Sequence, residues 1–207
     1  MVQIKPETKS NWECVSEPLK HHKPIKLGPV TSYNFYQAPQ NMLDALACYK
    51  FAAKLIGKEK RVLEIGCNEG FGTFLLGTEC GFAKGIDTNE NALQFAINNF
   101  RCCTIEFDTT DNKVNQWDAI VSFENPIFAS NFELFFKQFM PSLTLEGIMI
   151  VSVLCQEMSN AAQRLRDEMS HFFTHVFLFS AYEEVIQAGD SPLSNRLLAV
   201  CSKRCDA

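Results

Sequence analysis

The sequence predicts a doubly wound α/β domain with a mostly parallel, seven-stranded sheet and helices on both faces. From residue 61 onward, short apolar runs alternate with longer segments of helical periodicity. Such alternation is typical of parallel strands joined by right-handed crossover helices. Three glycines separate the first strand from the first of these helices. A length of 207 residues allows one domain with a sizeable core and is too short for two ordinary domains.

The bounds of the predicted elements follow from the spacing of the apolar residues. The strands are predicted at 61–65, 82–86, 103–107, 118–123, 146–153, 175–180 and 196–203. The helices are predicted at 40–56, 71–80, 90–99, 131–140 and 157–170. A polar segment with Gly189, Asp190 and Pro192 joins the last two strands, which favours a hairpin-like pair at one edge and an antiparallel C-terminal strand.

The first 38 residues differ from the rest of the chain. They show little periodicity and contain Pro6, Pro18, Pro24 and Pro29. Because proline interrupts the hydrogen bonding of regular backbone, we expect an irregular N-terminal arm over 1–38 and one folded domain over 39–207.

Composition and charge exclude several classes of protein. A formal net charge of -5 argues against a broad basic face for nucleic acid. The N-terminal residues contain no apolar targeting segment, and no run approaches the roughly 18–20 apolar residues that span a bilayer. We therefore expect a cytoplasmic protein with no membrane partner. The nine cysteines are odd in number and several lie in apolar runs, so reduced thiols are expected. They form no CxxC pair, so no metal site is predicted.

Residues 62–72 read VLEIGCNEGFG, a buried strand followed by a glycine-rich turn and then by a helix. Glycine suits Gly66, Gly70 and Gly72 because the chain must turn sharply there and bring its backbone against a ligand. The spacing of these glycines differs from the GxGxxG of dinucleotide-binding folds. The strand–turn–helix context predicts a binding loop for a different cofactor.

This segment resembles the first motif of class I S-adenosylmethionine-dependent methyltransferases, an acidic residue followed by closely spaced glycines. The resemblance covers residues 40–155 best and implies a Rossmann-like fold, S-adenosylmethionine as cofactor and S-adenosylhomocysteine as product. It implies that Glu64 and Gly66 lie near the ammonium group of the cofactor. Asn68 stands where glycine is common, and asparagine tolerates a positive φ better than most residues. The loop residues assigned to the cofactor are Glu64, Gly66, Cys67, Asn68, Gly70 and Gly72.

Three acidic residues further along are candidates for the nucleoside part of the cofactor. Asp87 ends the second strand, and the resemblance implies that it accepts both ribose hydroxyls, with Thr88 beside it. The same residues also read as the start of a helix cap. For the adenine amino group the family's spacing favours Asp111 over Asp108, and both could equally be solvated loop carboxylates.

Aromatic residues complete the predicted cofactor site. Phe123 ends the fourth strand, and Tyr36 in the arm could close over the cofactor together with Tyr33 and Phe35. Tyr49, on the following helix, would line the entrance. The alternative is that these aromatics only dock the arm.

Candidate catalytic residues follow the fourth strand, where many relatives have Glu-x-Ile-Glu-His. Here the chain reads Glu124-Asn125-Pro126-Ile127-Phe128, without the second acid and the histidine. Glu124 is a candidate base, substrate contact or loop hydrogen bond. The segment 125–128 also resembles the Asn-Pro-Pro-Tyr motif of amino methyltransferases, in which Asn125 would accept amine hydrogens and Phe128 would stack on the substrate. The alternative is a proline-containing loop with Phe128 in the core.

The sequence therefore predicts a methyltransferase for a small-molecule or sugar acceptor, with O-methylation as the first hypothesis. N-methylation through residues 125–128 is the second. A third is a cofactor-binding protein with lost or regulatory activity, because the Glu-His pair is missing. The oligomeric state is open, with a homodimer as one option.

Overall fold

A computed structural model describes residues 6–21, 26–111, 116–155 and 160–205. Eight strands form one sheet in the order β3-β2-β1-β4-β5-β8-β6-β7. The strands are β1 (Lys60–Ile65), β2 (Gly81–Ile86), β3 (Ile105–Asp108), β4 (Trp117–Phe123), β5 (Leu143–Leu154), β6 (Phe173–Tyr182), β7 (Val185–Ala188) and β8 (Arg196–Arg204). The helices are α1 (Pro6–His21), α2 (Pro29–Gln37), α3 (Gln40–Ile56), α4 (Phe71–Cys80), α5 (Glu90–Phe100), α6 (Pro126–Ser130), α7 (Phe132–Phe139) and α8 (Ala161–Ser170), with a short 3₁₀ helix at Met140–Ser142.

The predicted fold class is confirmed. The first five strands, β1 to β5, are parallel to one another. Strand β8 lies between β5 and β6 and is antiparallel to both. The predicted pairing of the last two apolar runs is therefore present as β6 and β8. An additional short strand, β7, forms a hairpin with β6 in the polar segment between them. Its residues are mostly exposed, so the sequence there lacks the apolar alternation by which a strand is recognised.

The prediction of an irregular N-terminal arm is wrong for the residues that the structure describes. Helix α1 covers Pro6–His21 and helix α2 covers Pro29–Gln37. Pro29 is compatible with helix because it occupies the first turn, where its missing N–H has no intrahelical partner. Two parts of the predicted arm, 1–5 and 22–25, lie outside the described residues. The same holds for the first residues of the helix predicted at 157–170.

The two faces of the sheet bury different kinds of side chain. On one face, α7 packs four phenylalanines with Phe128 against Leu63, Ile120 and the inner residues of β5. On the other face, α3 and α4 cover Val62, Ala119 and Val121 with small and aliphatic residues. Because neighbouring residues of β1 and β4 alternate between the two clusters, both faces are buried as a parallel sheet requires.

This topology brings the carboxyl ends of β1, β2 and β4 to one edge of the sheet. Strand order reverses between β1 and β4, and ligands of doubly wound folds bind in the crevice at that point. Within the described part of the chain, no helix is long and apolar enough to cross a membrane.

Candidate active site

A cavity of about 680 Å³ opens at this edge of the sheet. Two groups of residues on its wall differ in kind. We call the wall formed by the Gly66–Gly72 turn with Asp87 and Asn89 the glycine-loop half. We call the wall formed by Asp44, Cys48, Glu124 and Arg196 the ion-pair half.

The glycine-loop half is built largely from backbone. Gly66 has a φ of +83°, and its N–H and that of Cys67 both donate to the carbonyl of Ile86, at 2.8 and 3.0 Å. Gly70, with a φ of +81°, begins α4, and Asn68 also adopts a positive φ, of +49°. The loop therefore turns back over the end of β2, in the conformation for which glycine and asparagine are suited.

Tyr49 of α3 lies against this turn, and its ring leaves no room for a side chain at residue 72. A Cβ on Gly72 would lie 2.1 Å from the Tyr49 ring. The Tyr49 hydroxyl donates to Glu64 at 2.5 Å, and the Thr73 hydroxyl donates to the other carboxylate oxygen. The predicted role of Tyr49 at the entrance becomes more specific, since its ring both lines the cavity and supports the loop.

Glu64 itself is buried beneath the loop and is not among the described residues that line the cavity. Burial raises the pKa of Glu64 from 4.5 to about 7, and nearby Asp87 raises it as well. The hydrogen bonds from Thr73 and Tyr49 lower this pKa, but the desolvation of the carboxylate is the larger effect. Glu64 is thus a titratable group directly under the binding loop.

Asp87 lies on the cavity wall where β2 ends. Its two carboxylate oxygens accept the N–H groups of Asn68 and Asn89, each at 2.8 Å. Asn89, which the sequence analysis missed, caps α5 and also lines the cavity. The cap signal around Asp87 could have identified it. Thr88 is exposed and lies outside the lining.

The structure does not place Asp111, which the sequence predicts to bind adenine, at the cavity. The Asp111 side chain is fully buried, accepts a 2.7 Å hydrogen bond from the Trp117 indole and pairs with Lys84 at 3.2 Å. Asp108 is half-exposed and also pairs with Lys84, at 3.3 Å. Neither carboxylate lines the cavity. Lys84 is a buried cation in β2, and Asp111 supplies the counter-charge that it needs.

Of the aromatic residues predicted to contact the cofactor, the structure places Phe123 at the cavity but not Tyr36. Phe123 lines the cavity and packs edge-on against Tyr49, with 5.0 Å between ring centroids. Tyr36 is 90% exposed and is not among the described lining residues, so its prediction is not supported. Helix α2 instead presents Val30, Thr31 and Asn34 to the cavity. Because residues two apart on a helix point to opposite sides, Tyr36 lies away from the face that carries Asn34.

The ion-pair half is centred on Glu124, the first residue after β4. It has a φ of +51°, which is rare outside glycine and frequent at functional sites. Its N–H donates to the carbonyl and the hydroxyl of Ser152, each at 3.2 Å. Its carboxylate forms an ion pair with the guanidinium of Arg196, whose side chain is only 14% exposed.

Arg196 was missed by the sequence analysis. It begins β8, and because β8 runs antiparallel to β5, its first residue lies at the edge where β4 and β5 end. The guanidinium also approaches the buried thiol of Cys48, with 3.3 Å between Nη1 and Sγ. Burial raises the pKa of Cys48, and the adjacent Arg196 lowers it. The sequence gives no local signal for this role, because the pairing of β8 with β5 is visible only in the fold.

Asn125 lines the cavity beside Gly66. A Cβ on Gly66 would lie 3.1 Å from its Nδ2, and the same amide approaches the carbonyl of Ile65 at 3.5 Å. The prediction that Phe128 stacks on a substrate is wrong. Its ring is fully buried against Phe132 and Phe135. The alternative, with Phe128 in the core, is confirmed.

The rest of the lining mixes amide and apolar side chains. The amides include Asn34, Asn41 and Asn195, and the apolar residues include Met42, Ala45, Pro126 and Leu154. No group of histidine, cysteine, aspartate or glutamate within the described ranges could hold a metal ion. The ion-pair half therefore offers hydrogen bonds, the carboxylates of Asp44 and Glu124, and the guanidinium of Arg196.

Comparison with solved structures identifies the fold. The sequence matches no protein-family model and no curated protein. The structure is similar to a TehB-like methyltransferase dependent on S-adenosylmethionine from Corynebacterium glutamicum, with a TM-score of 0.63 and 16% identity, over 85% of this chain and 100% of that one. It is also similar to the N-methyltransferase NodS from Bradyrhizobium japonicum in complex with S-adenosyl-L-homocysteine, with a TM-score of 0.58 and 19% identity, over 82% and 87%.

A third similar structure is a possible histamine N-methyltransferase from Thermotoga maritima, with a TM-score of 0.59 and 15% identity, over 82% of this chain and 96% of that one. At these identities the likeness establishes the fold. The chain has the Rossmann-like fold of S-adenosylmethionine-dependent methyltransferases.

Proposed function

We propose that this protein is an S-adenosylmethionine-dependent methyltransferase that O-methylates a small, polar acceptor such as a sugar. The observation that carries the proposal is the meeting, in one cavity, of the glycine loop and Asp87 with the Glu124–Arg196 pair. The first group suits a nucleoside-containing cofactor, and the second suits proton transfer beside it.

The glycine-loop half fits the cofactor. Gly66 has no Cβ and holds a positive φ, so the backbone can approach a ligand closely. The Asp87 carboxylate faces the cavity at the strand end where ribose hydroxyls are bound in folds of this type. We assign cofactor contacts to Gly66, Cys67, Asn68, Asp87 and Asn89. Bound there, the cofactor supplies a methyl group on a sulfonium, an electrophile that needs no further activation.

The ion-pair half supplies the base. An acceptor hydroxyl becomes a better nucleophile as its proton leaves, and the Glu124 carboxylate is the group at the end of β4 that can take this proton. Arg196 holds that carboxylate by direct ion pairing and, being mostly buried, has little freedom to swing away. Glu124 and Arg196 thus act as base and positioning partner.

The polar part of the lining suits a hydroxyl-bearing acceptor. Asn34, Asn41 and Asn195 offer amide donors and acceptors, and Asp44 adds a carboxylate. Such groups recognise hydroxyls by directional hydrogen bonds, and unsatisfied ones strongly disfavour an acceptor that cannot pair with them. N-methylation through residues 125–128 has less support, because Phe128 is in the core and cannot stack on a planar amine.

The test has two stages. Calorimetry with S-adenosylmethionine and S-adenosylhomocysteine measures cofactor binding, and formation of S-adenosylhomocysteine is then followed over a panel of sugars, hydroxy acids, catechols and amines. We expect binding, and turnover with a polyhydroxylated acceptor. Turnover with amines alone would replace O-methylation by N-methylation. Tight binding with no turnover on any class would support the regulatory alternative, and no binding would refute the proposal.

A further inference from the structure

Glu69 lies in the glycine loop, but its carboxylate is directed to the N-terminal helix α2. The residue is only 4% exposed. One carboxylate oxygen accepts the N–H of Val30 at 2.7 Å, and the other accepts the N–H and the hydroxyl of Thr31, at 2.9 and 2.7 Å. These are the free N–H groups of the first turn of α2, where a negative charge is also favoured by the helix dipole. A residue distant in sequence thus caps this helix.

Gly28 shows that the chain makes room for this contact. It is the N-cap residue of α2 and has an ordinary extended backbone, with a φ of -72°. A Cβ at this position would nevertheless lie 2.1 Å from the carboxyl carbon of Glu69. A side chain at residue 28 would therefore displace the Glu69 carboxylate from its position at the start of α2.

The position of α2 depends strongly on this cap. None of its nine residues, all of them described, is fully buried, so burial of its side chains holds it less firmly than it holds the core helices. The helix nevertheless forms part of the cavity wall through Val30, Thr31 and Asn34. Without the cap, this wall would lose its main polar attachment to the cofactor loop.

We propose that Glu69 is a positioning residue that fixes α2 as a wall of the acceptor site. The inference rests on the proposed function for the identity of the acceptor site, but the cap itself does not. Since Glu69 belongs to the loop that would contact the cofactor, its side chain attaches the acceptor wall to that loop. Loss of the cap should weaken acceptor binding and leave the chemical step largely intact.

The experiment perturbs the cap from the arm side, so that the glycine loop stays unchanged. Gly28→Ala places a methyl group against the carboxylate, and Thr31→Val removes the hydroxyl donor with little change of shape. Thr31→Ser is the matched control because it keeps the hydroxyl. Hydrogen exchange of the α2 amides in the full chain is expected to accelerate about tenfold or more in Gly28→Ala and severalfold in Thr31→Val, with Thr31→Ser like the parent.

Two further measurements separate this inference from the proposed function. Affinity for S-adenosylhomocysteine should stay within about twofold in both variants, while the KM of the best acceptor rises about fivefold or more at little-changed kcat. Unchanged exchange of α2 in Gly28→Ala and Thr31→Val would overturn the cap as its anchor, and an unchanged acceptor KM would overturn its role as a wall. A parent protein that binds no S-adenosylhomocysteine would refute the proposed function, while the exchange data would still decide the cap.

Discussion

Where the cavity meets β1 and β2 its wall is mainly backbone, whereas at the ends of β4 and β8 it is mainly side chains. The glycine-loop half depends on positive φ at Gly66 and Gly70 and on close packing at Gly72. The ion-pair half depends on Glu124 and Arg196, which lie on separate strands. A backbone-built wall accepts few substitutions and leaves a recognisable glycine spacing. A side-chain-built wall can change with the acceptor, and it carries no fixed pattern.

The largest expected effect tests the ion-pair half. Glu124→Gln keeps the shape of the side chain but cannot take a proton at neutral pH, so kcat should fall by about 10²–10⁴-fold. Affinity for S-adenosylhomocysteine should change little, since the glycine-loop half is untouched. The matched control is Asp44→Asn, which removes the other carboxylate of this half and should have a much smaller effect on kcat. Equal losses in both variants would contradict the assignment of Glu124 as base.

The second effect concerns pH and belongs to the glycine-loop half. The pKa of Glu64 is raised from 4.5 to about 7, so between these values the folded state binds more protons than the unfolded state. The contribution of Glu64 to the free energy of unfolding should therefore be greatest below about pH 4.5 and should be lost as the pH rises to about 7. The expected loss is on the order of 3 kcal/mol.

Urea unfolding of the parent and of Glu64→Gln at pH 5 and pH 8 measures this effect. The variant cannot ionise at residue 64, so its difference between the two pH values should be smaller than that of the parent. A parallel pH dependence in both proteins would show that Glu64 is ionised in the fold at neutral pH. That result would contradict the raised pKa of Glu64.

A third, smaller effect compares two acidic residues that the sequence proposes for the same ligand. Asp87→Ala should weaken S-adenosylmethionine binding by about 1–3 kcal/mol, because hydrogen bonds to a charged group are lost. Asp111→Ala should leave affinity nearly unchanged and lower stability, because Lys84 would lose a buried counter-charge. Calorimetry and thermal unfolding of both variants check this. Equal losses of affinity in the two variants would mean that Asp111 also contacts the cofactor.

The smallest expected effect is at the exposed face of α2. Tyr36→Ala removes a side chain that is 90% exposed and outside the cavity lining, so affinity for S-adenosylhomocysteine should stay within about twofold. A clear loss of affinity in calorimetry would mean that α2 rotates or closes when the cofactor binds. It would also restore the cofactor contact that the sequence suggests for Tyr36.

Much of the glycine-loop half was predictable from the sequence, because backbone constraints appear locally. The strand, the glycine spacing and the helix over 71–80 are contiguous, and each agrees with the structure. The ion-pair half was predictable only at Glu124, since Arg196 arrives through antiparallel insertion of β8 beside β5. Asp111 was assigned by spacing, and spacing does not reveal a buried Lys84 that pairs with it. Proline content likewise misrepresented residues 29–37, because proline at the first turn starts a helix.

The place of β8 in the sheet has a consequence for the time course of synthesis. Strands β5 and β6 both precede β8 in the chain, yet they do not pair with each other in this fold because β8 lies between them. A nascent chain that ends before residue 196 therefore exposes two unpaired strand edges and lacks the guanidinium that faces Glu124. The glycine loop precedes these strands in the chain, whereas the ion-pair half is complete only once β8 has inserted between them. On the proposed function, a chain without β8 would keep the glycine-loop half of the cavity and lack the residue that holds the base.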